Sequence, residues 1–332
     1  MKICSMPWVG MAINVKGKIA PCCRYQPQIT NKPNNFSLTF EGDLYKYIRK
    51  TMLEGKVPEG CRDCYAREKA IGTSMMSELT DAHPVDNYDT PVLKYLEIGF
   101  GNTCNMACIM CDEMSSSKWQ LIKFPKQKVI PSDLIEVDWF NTKLSSLELI
   151  KILGGEPFLN RDAHNKFLSR LSELTNTSKI SLKYHSNATV PWDDTLLDIW
   201  SKYKSINVYL SIDGYGKINE LQRPGPSWET IEKNVAKYIY TKTTESRKDG
   251  GVAINLGVHT VITKVNVWHL EELLKWKKNF LGDETYHAFE VVQGQPQLAV
   301  SSLTDKEKKN LTKKLKSPGI PKHLRDLVVT YF

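Results

Sequence analysis

Apolar residues in the middle of the chain fall into short blocks separated by longer stretches of helical period. The blocks are Leu93–Phe100, Leu147–Leu153, Ile180–His185, Ile206–Ile212, Ala253–Val261 and Tyr286–Val292, each rich in β-branched or aromatic residues. Blocks of this length and composition predict strands. Between them, helical spacing predicts helices over Asp162–Leu174, Trp192–Tyr203, Trp228–Thr241 and Asn266–Phe280, with Ser227 placed to cap the third. Strands alternating with helices predict βαβ units and a parallel sheet. Nearer the start, Tyr45, Tyr47, Ile48, Met52 and Leu53 mark a short amphipathic helix before Pro58. Residues 80–91 are polar, acidic and rich in turn formers, and read as a linker. Four regions result: 1–79, the linker 80–91, an α/β core over 92–295, and a mostly helical segment over 296–332.

Composition narrows the class. The chain has 332 residues, 41% of them hydrophobic and 25% charged, as in ordinary globular domains. No apolar run approaches membrane-span length and no secretory signal is read, so a cytoplasmic protein without a membrane partner is expected. Net charge is +8, with much of the excess in Lys306, Lys308, Lys309, Lys313, Lys314, Lys316, Lys322 and Arg325. No aromatic residues interleave with these lysines. The stretch therefore reads as a solvated helical face, and no nucleic-acid partner is expected. Eight cysteines without a secretory signal predict metal or redox chemistry rather than disulfides.

Five of those cysteines, Cys4, Cys22, Cys23, Cys61 and Cys64, lie before the linker. The other three, Cys104, Cys108 and Cys111, sit within eight residues just after the first core strand. Three thiolates so spaced can ligate three irons of a cubane cluster and leave the fourth iron open to an external ligand. The second core strand runs into Gly154-Gly155-Glu156-Pro157. Its glycines permit close backbone approach to a ligand, and Glu156 offers an acceptor for an ammonium group. Polar residues end the later strands: Ser186 and Asn187, then Ser211 and Asp213. In parallel barrels such strand ends carry the chemistry.

The CxxxCxxC triplet followed by GGEP resembles the signature of radical S-adenosylmethionine (SAM) enzymes. The resemblance implies a partial (βα)6 parallel barrel, preceded here by a small cysteine-rich α+β auxiliary domain. It implies that Cys104, Cys108 and Cys111 hold a 4Fe-4S cluster on which SAM is reductively cleaved to a 5′-deoxyadenosyl radical that abstracts hydrogen from substrate. Gly154, Gly155, Glu156 and Pro157 would bind SAM, with Ser186, Asn187, Ser211 and Asp213 as further contacts. Arg223 and Asn266 are weaker candidates. Met110 stands where an aromatic residue often packs on adenine. Cys4-x12-Gly17-x4-Cys22 and the later Cys61-x2-Cys64 resemble SPASM and twitch domains, which implies one auxiliary 4Fe-4S cluster. Its ligands would be Cys4, Cys22, Cys61 and Cys64, with Cys23 as the alternate to Cys22. Four cysteines also suit structural zinc. By the same analogy a flavodoxin- or ferredoxin-like reductant and a peptide or protein substrate are expected. A non-catalytic iron–sulfur or zinc protein, a redox sensor or docking module, is the alternative.

Overall fold

The computed structural model describes residues 2–26, 39–130 and 144–332. Residues 27–38 and 131–143, inside the expected ranges 1–79 and 92–295, lie outside the described residues. Eight strands form one sheet: β1 (Gly10–Ile13), β2 (Ile19–Ala20), β3 (Tyr95–Gly99), β4 (Leu149–Leu153), β5 (Ser181–Ser186), β6 (Ser205–Ser211), β7 (Ile254–Ile262) and β8 (Tyr286–Val291). Their order is β2-β1-β3-β4-β5-β6-β7-β8. The pairs β1–β3, β3–β4, β4–β5 and β7–β8 are parallel, and β1–β2 is antiparallel. All six expected strands are present within two residues at each end. The sequence reading missed β1 and β2. Both are short and buried on each side, so neither shows a polar–apolar alternation.

Helix Arg161–Leu174 matches expectation within one residue, and Trp228–Glu245 runs four residues past the expected Thr241, with Ser227 Oγ accepting from Thr230 N at 3.3 Å. The expected helix at 192–203 is shorter, Asp194–Trp200. The one expected from Asn266 begins as a 3-10 turn and becomes α-helical at Leu270. Asn266 is held out of the helix because its side chain accepts from Thr263 N at 2.7 Å.

The chain divides into two compact units. The first comprises Met1–Thr103, Lys128–Tyr184 and Asp194–Ile206. Its helix Asp43–Leu53 buries Tyr45, Ile48 and Met52, while Tyr47 and Leu53 of the expected apolar set are exposed. The Tyr45 hydroxyl lies 3.1 Å from Gly10 O and 3.0 Å from Ala20 O, tying this helix to β1 and β2. Beside it, the buried Arg49 guanidinium donates to Pro7 O and Phe40 O and lies over the Phe40 and Tyr45 rings. Around them Met6, Trp8, Val9, Tyr25, Met76 and Tyr95 complete a small apolar core. In the expected linker, residues 80–82 end helix Met75–Ala82, and Trp8 Nε1 donates to Tyr88 O at 2.8 Å.

The second unit comprises Cys104–Gln127, His185–Asp193 and Asn207–Phe332. Its basic segment forms helices Asp305–Lys314 and Lys322–Val329. Thr304 and Glu307 make a capping box at the start of the first, satisfying backbone donors that the helix leaves unpaired. Leu311, Leu315, Ile320, Leu324 and Val328 pack on Ile262, Val267, Leu270 and Val291. Lys306, Lys309, Lys313, Lys314, Lys316 and Lys322 are exposed, as a solvated helical face requires. Among the described residues, no helix is long and apolar enough to cross a membrane.

Candidate functional site

The cysteine triplet of the second unit lies in a loop without regular structure, just ahead of the short helix Ser117–Lys123. Side chains around the helix start hold the loop. Ser117 Oγ accepts from Cys104 N at 3.0 Å. Ser116 Oγ donates to Met106 O at 2.6 Å, and Trp119 Nε1 donates to Cys108 O at 2.7 Å. Met106 is fully buried and anchors the middle of the loop. Sequence reasoning missed Ser116, Ser117 and Trp119. Their signal was an N-cap serine ahead of a short helix, visible but not tied to the cysteines.

Behind the loop is a buried ion pair. Arg223 Nε lies 2.6 Å from Asp213 Oδ2, and Arg223 Nη1 lies 3.7 Å from Cys108 Sγ. Asp213 Oδ1 also accepts from Val261 N at 2.7 Å. Asn266 Nδ2 donates to Asp213 O at 2.7 Å and Val261 O at 2.9 Å. Gln222 Nε2 completes the group by donating to Thr263 Oγ1. The ends of β6 and β7 are thereby locked to the arginine that faces Cys108. Burial pushes the Cys108 thiol up, and the guanidinium pulls it back. Cys111 is pushed up to about 12 by burial and by the charge of Cys108.

Asn187 Nδ2 lies 3.9 Å from Cys104 Sγ and donates to Asn105 Oδ1 at 3.0 Å. The next residue, Ala188, has φ +60°, the one positive φ of a non-glycine among the described residues. Such a backbone state is uncommon for residues bearing a Cβ. Ser186 Oγ accepts from Ala188 N at 3.1 Å, and Asn234 Nδ2 donates to Ala188 O at 3.1 Å; together they hold the turn. Ser186 is buried, whereas Met110 and Ser211 are half-buried.

GGEP lies in the first unit, where β4 ends. Gly154 and Gly155 have φ of +93° and +46°. A Cβ on Gly155 would sit 2.0 Å from Thr103 O, and one on Gly154 would sit 2.4 Å from Gly101 O. Both glycines are therefore required for chain packing here. Glu156 is buried, and its Oε1 accepts from Phe158 N at 3.3 Å as the cap of the 3-10 turn Pro157–Leu159. Pro157 is buried in that turn.

The N-terminal cysteines belong to the same unit as GGEP. Cys4, Cys22, Cys61 and Cys64 line one cavity, walled also by Met6, Tyr25, Gly60, Tyr65, Met75 and Met76. A side chain at Gly60 would strike the Tyr25 ring. Burial pushes Cys4 up to about 11 and Cys61 to about 12, and repulsion from neighbouring thiols adds to the rise at Cys4, Cys22 and Cys61. Cys23 does not line this cavity. Its Sγ lies 3.9 Å from Met75 Sδ, and it neighbours a buried ion pair of Glu97 and Lys151 at 2.9 Å. Among the described residues, no three His, Cys, Asp or Glu side chains converge on a single-ion position.

The Radical SAM superfamily model matches residues 98–276, over half of the chain. The chain belongs to the radical SAM superfamily. Membership implies SAM and one 4Fe-4S cluster as cofactors. No curated protein matches this radical SAM chain. Solved structures similar to it include native anSMEcpe with bound AdoMet, 20% identical over 67% of this chain and 58% of that one, with TM-score 0.48. Another is native anSMEcpe with bound AdoMet and Kp18Cys peptide, 19% identical over 67% and 59%, with TM-score 0.47. A third is SuiB of Streptococcus suis bound to precursor peptide SuiA, 15% identical over 95% and 69%, with TM-score 0.41. The radical SAM chain thus spans 58% of the length of the first of these.

Proposed function

We propose that this chain is a two-cluster radical SAM enzyme acting on a peptide or protein. Superfamily membership, together with the triplet held on one loop, carries the reading. In it, Cys104, Cys108 and Cys111 hold the SAM-binding 4Fe-4S cluster on a partial barrel spanning 92–295. Residues 1–79 form a SPASM/twitch-like auxiliary domain joined by the linker 80–91, and 296–332 form the helical C-terminal segment. When bound, the reduced cluster and SAM supply a 5′-deoxyadenosyl radical that abstracts a hydrogen atom from substrate.

The donor chemistry fits the two groups. Three thiols share a loop, and a guanidinium faces one of them. Hydrogen bonds to cluster sulfurs and net local charge set reduction potentials, so Arg223 and Asn187 are positioned to tune this one. Met110, Gly154, Gly155, Glu156, Pro157, Ser186, Asn187, Ser211 and Asp213 remain the proposed SAM-binding set. Asp213 serves it through Arg223. For the auxiliary cluster, the shared cavity supports Cys4, Cys22, Cys61 and Cys64 as ligands and favours Cys22 over Cys23. Four clustered thiols, three of them raised by repulsion from a neighbouring thiol, suit a centre that brings positive charge among them. A flavodoxin- or ferredoxin-like protein in the cytoplasm is the proposed electron donor. The peptide substrate rests on analogy with enzymes bearing related accessory domains.

Anaerobic reconstitution tests this reading. The expected outcome is about eight irons with matching sulfide per chain, two four-iron clusters, and SAM cleavage on reduction. Cys104→Ala should abolish cleavage. Cys61→Ala should remove the auxiliary spectrum and spare the SAM-bound one. About four irons with about one zinc would leave the triplet and make the N-terminal site structural. Zinc in place of iron throughout would favour the non-catalytic alternative.

A further inference from the structure

The two faces of the sheet in the second unit differ sharply. On one face Val208, Leu210, Val258, Thr260 and Ile262 are buried. His287 belongs there too. Its Nε2 lies 2.8 Å from Thr260 Oγ1, and burial pushes it down to about 3, so it stays neutral and structural. The opposite face carries Asn207, Tyr209, Ser211, Asn255, His259, Tyr286 and Glu290, all at least partly open to solvent. Parallel sheets usually have both faces covered by apolar packing. A polar, half-open face is what a substrate-lining surface requires.

Rings organise this face. His185 stacks on Tyr209 at 5.3 Å and meets His259 edge-on at 5.2 Å. Tyr209 meets Tyr286 edge-on at 5.9 Å. Gly257 leaves the room that Tyr209 occupies, since a Cβ there would lie 3.1 Å from its ring. His259 Nε2 lies 3.6 Å from Glu290 Oε2. The β7–β8 register explains that contact. Val261 pairs with Glu290 and His259 with Ala288, which makes His259 and Glu290 diagonal neighbours on one face. The same end of the sheet leads to the triplet. Asn187, two residues beyond His185, reaches Cys104, and Asp213, beyond Tyr209, reaches Cys108 through Arg223.

We propose that His259, positioned by Glu290, is a catalytic base for the polypeptide substrate. The inference rests on the radical SAM reading above. After a substrate carbon has lost a hydrogen atom, His259 takes the proton from an O–H, S–H or N–H bonded to that carbon. The bonding pair stays on the heteroatom, the one electron in excess on the resulting radical anion passes to a one-electron acceptor of the iron–sulfur class as the C=O, C=S or C=N bond closes, and the imidazolium formed is balanced by the Glu290 carboxylate. Imidazole with a carboxylate partner is a recurrent acid–base arrangement, and such contacts are commonly long before substrate binds. His185 and Tyr209 fix the orientation of the His259 ring.

The test uses reconstituted holoenzyme, reductant, SAM and tryptic peptides from fully deuterated cells. Deuterium in 5′-deoxyadenosine reports hydrogen abstraction, and modified peptide per 5′-deoxyadenosine reports completion. His259→Gln should keep iron content and deuterium transfer, while the completion ratio falls about 100-fold, within the range for losing a general base. Added imidazole should restore His259→Ala. Glu290→Gln should lower the ratio and Glu290→Asp recover part of it, while exposed His323→Gln changes nothing. An unchanged ratio in His259→Gln overturns the proposal. So does a loss in His259→Ala that imidazole does not rescue, because that marks a packing role. The readings beneath it fail separately. Absence of SAM cleavage by the wild type sinks the radical SAM reading. SAM cleavage without deuterium transfer from any peptide sinks the polypeptide substrate, and the proposal with it.

Discussion

Arg223 and Asp213 illustrate how one residue can serve both fold and chemistry. An isolated charge in the interior is expensive, and each of these is tolerable because the other lies 2.6 Å away. Arg223→Met should leave Asp213 buried without its partner and destabilise the metal-free chain by about 3–5 kcal/mol. Denaturant titration of the full chain measures this. In the holoenzyme, Arg223→Lys should shift the reduction potential of the SAM-bound cluster by removing the planar donor from Cys108. The cysteines themselves make stability depend on pH. Cys4, Cys61 and Cys111 are pushed above the ordinary thiol value near 9, to about 11, 12 and 12. An acid raised on folding favours the folded state fully below its unfolded value, and that contribution is lost as pH rises through the folded value. The metal-free chain should therefore lose stability steadily between about pH 9 and pH 12. Unfolding midpoints at pH 7, 9 and 10 would show the trend, and a flat profile would contradict the burial of these thiols.

At the scale of elements, helix Asp43–Leu53 holds β1 and β2 through polar contacts as well as apolar ones. The Tyr45 hydroxyl is fully buried against two backbone carbonyls, Gly10 O and Ala20 O. Tyr45→Phe keeps the ring and removes the donor, so it should cost about 1–3 kcal/mol, the range for an unsatisfied buried acceptor. Urea unfolding of the full chain checks it, and a cost near zero would mean that those carbonyls find other donors. Here the limits of legibility are physical. The helix showed in the spacing of Tyr45, Ile48 and Met52. Its partners did not, because β1 and β2 are too short to display a period. Tyr47 and Leu53 match the apolar pattern yet face solvent, since composition marks an apolar side chain without saying what covers it.

Across the whole molecule, features fixed by local spacing could be read and features fixed by register could not. Three thiolates in eight residues announce themselves, as do six apolar strands. The Arg223 contact with Cys108 joins residues 115 apart and exists only once β6 and β7 are aligned. The pairing of His259 with Glu290 likewise depends on which residue of β8 stands beside Val261. Glu156 marks another boundary. Its motif was visible, while its role as cap of the turn Pro157–Leu159 needed the backbone. The helical cover made by Leu311, Leu315, Ile320, Leu324 and Val328 has a consequence in time. Those side chains close the apolar group around Ile262, Val267, Leu270 and Val291. On the ribosome they emerge after the residues they cover, so a nascent chain whose triplet is already outside the exit tunnel still exposes this group to water. Domains assembled this way are vulnerable until the covering segment has been made. Emergence of the triplet and closure of this core are therefore consecutive events, and slow synthesis of the covering helices lengthens the interval between them.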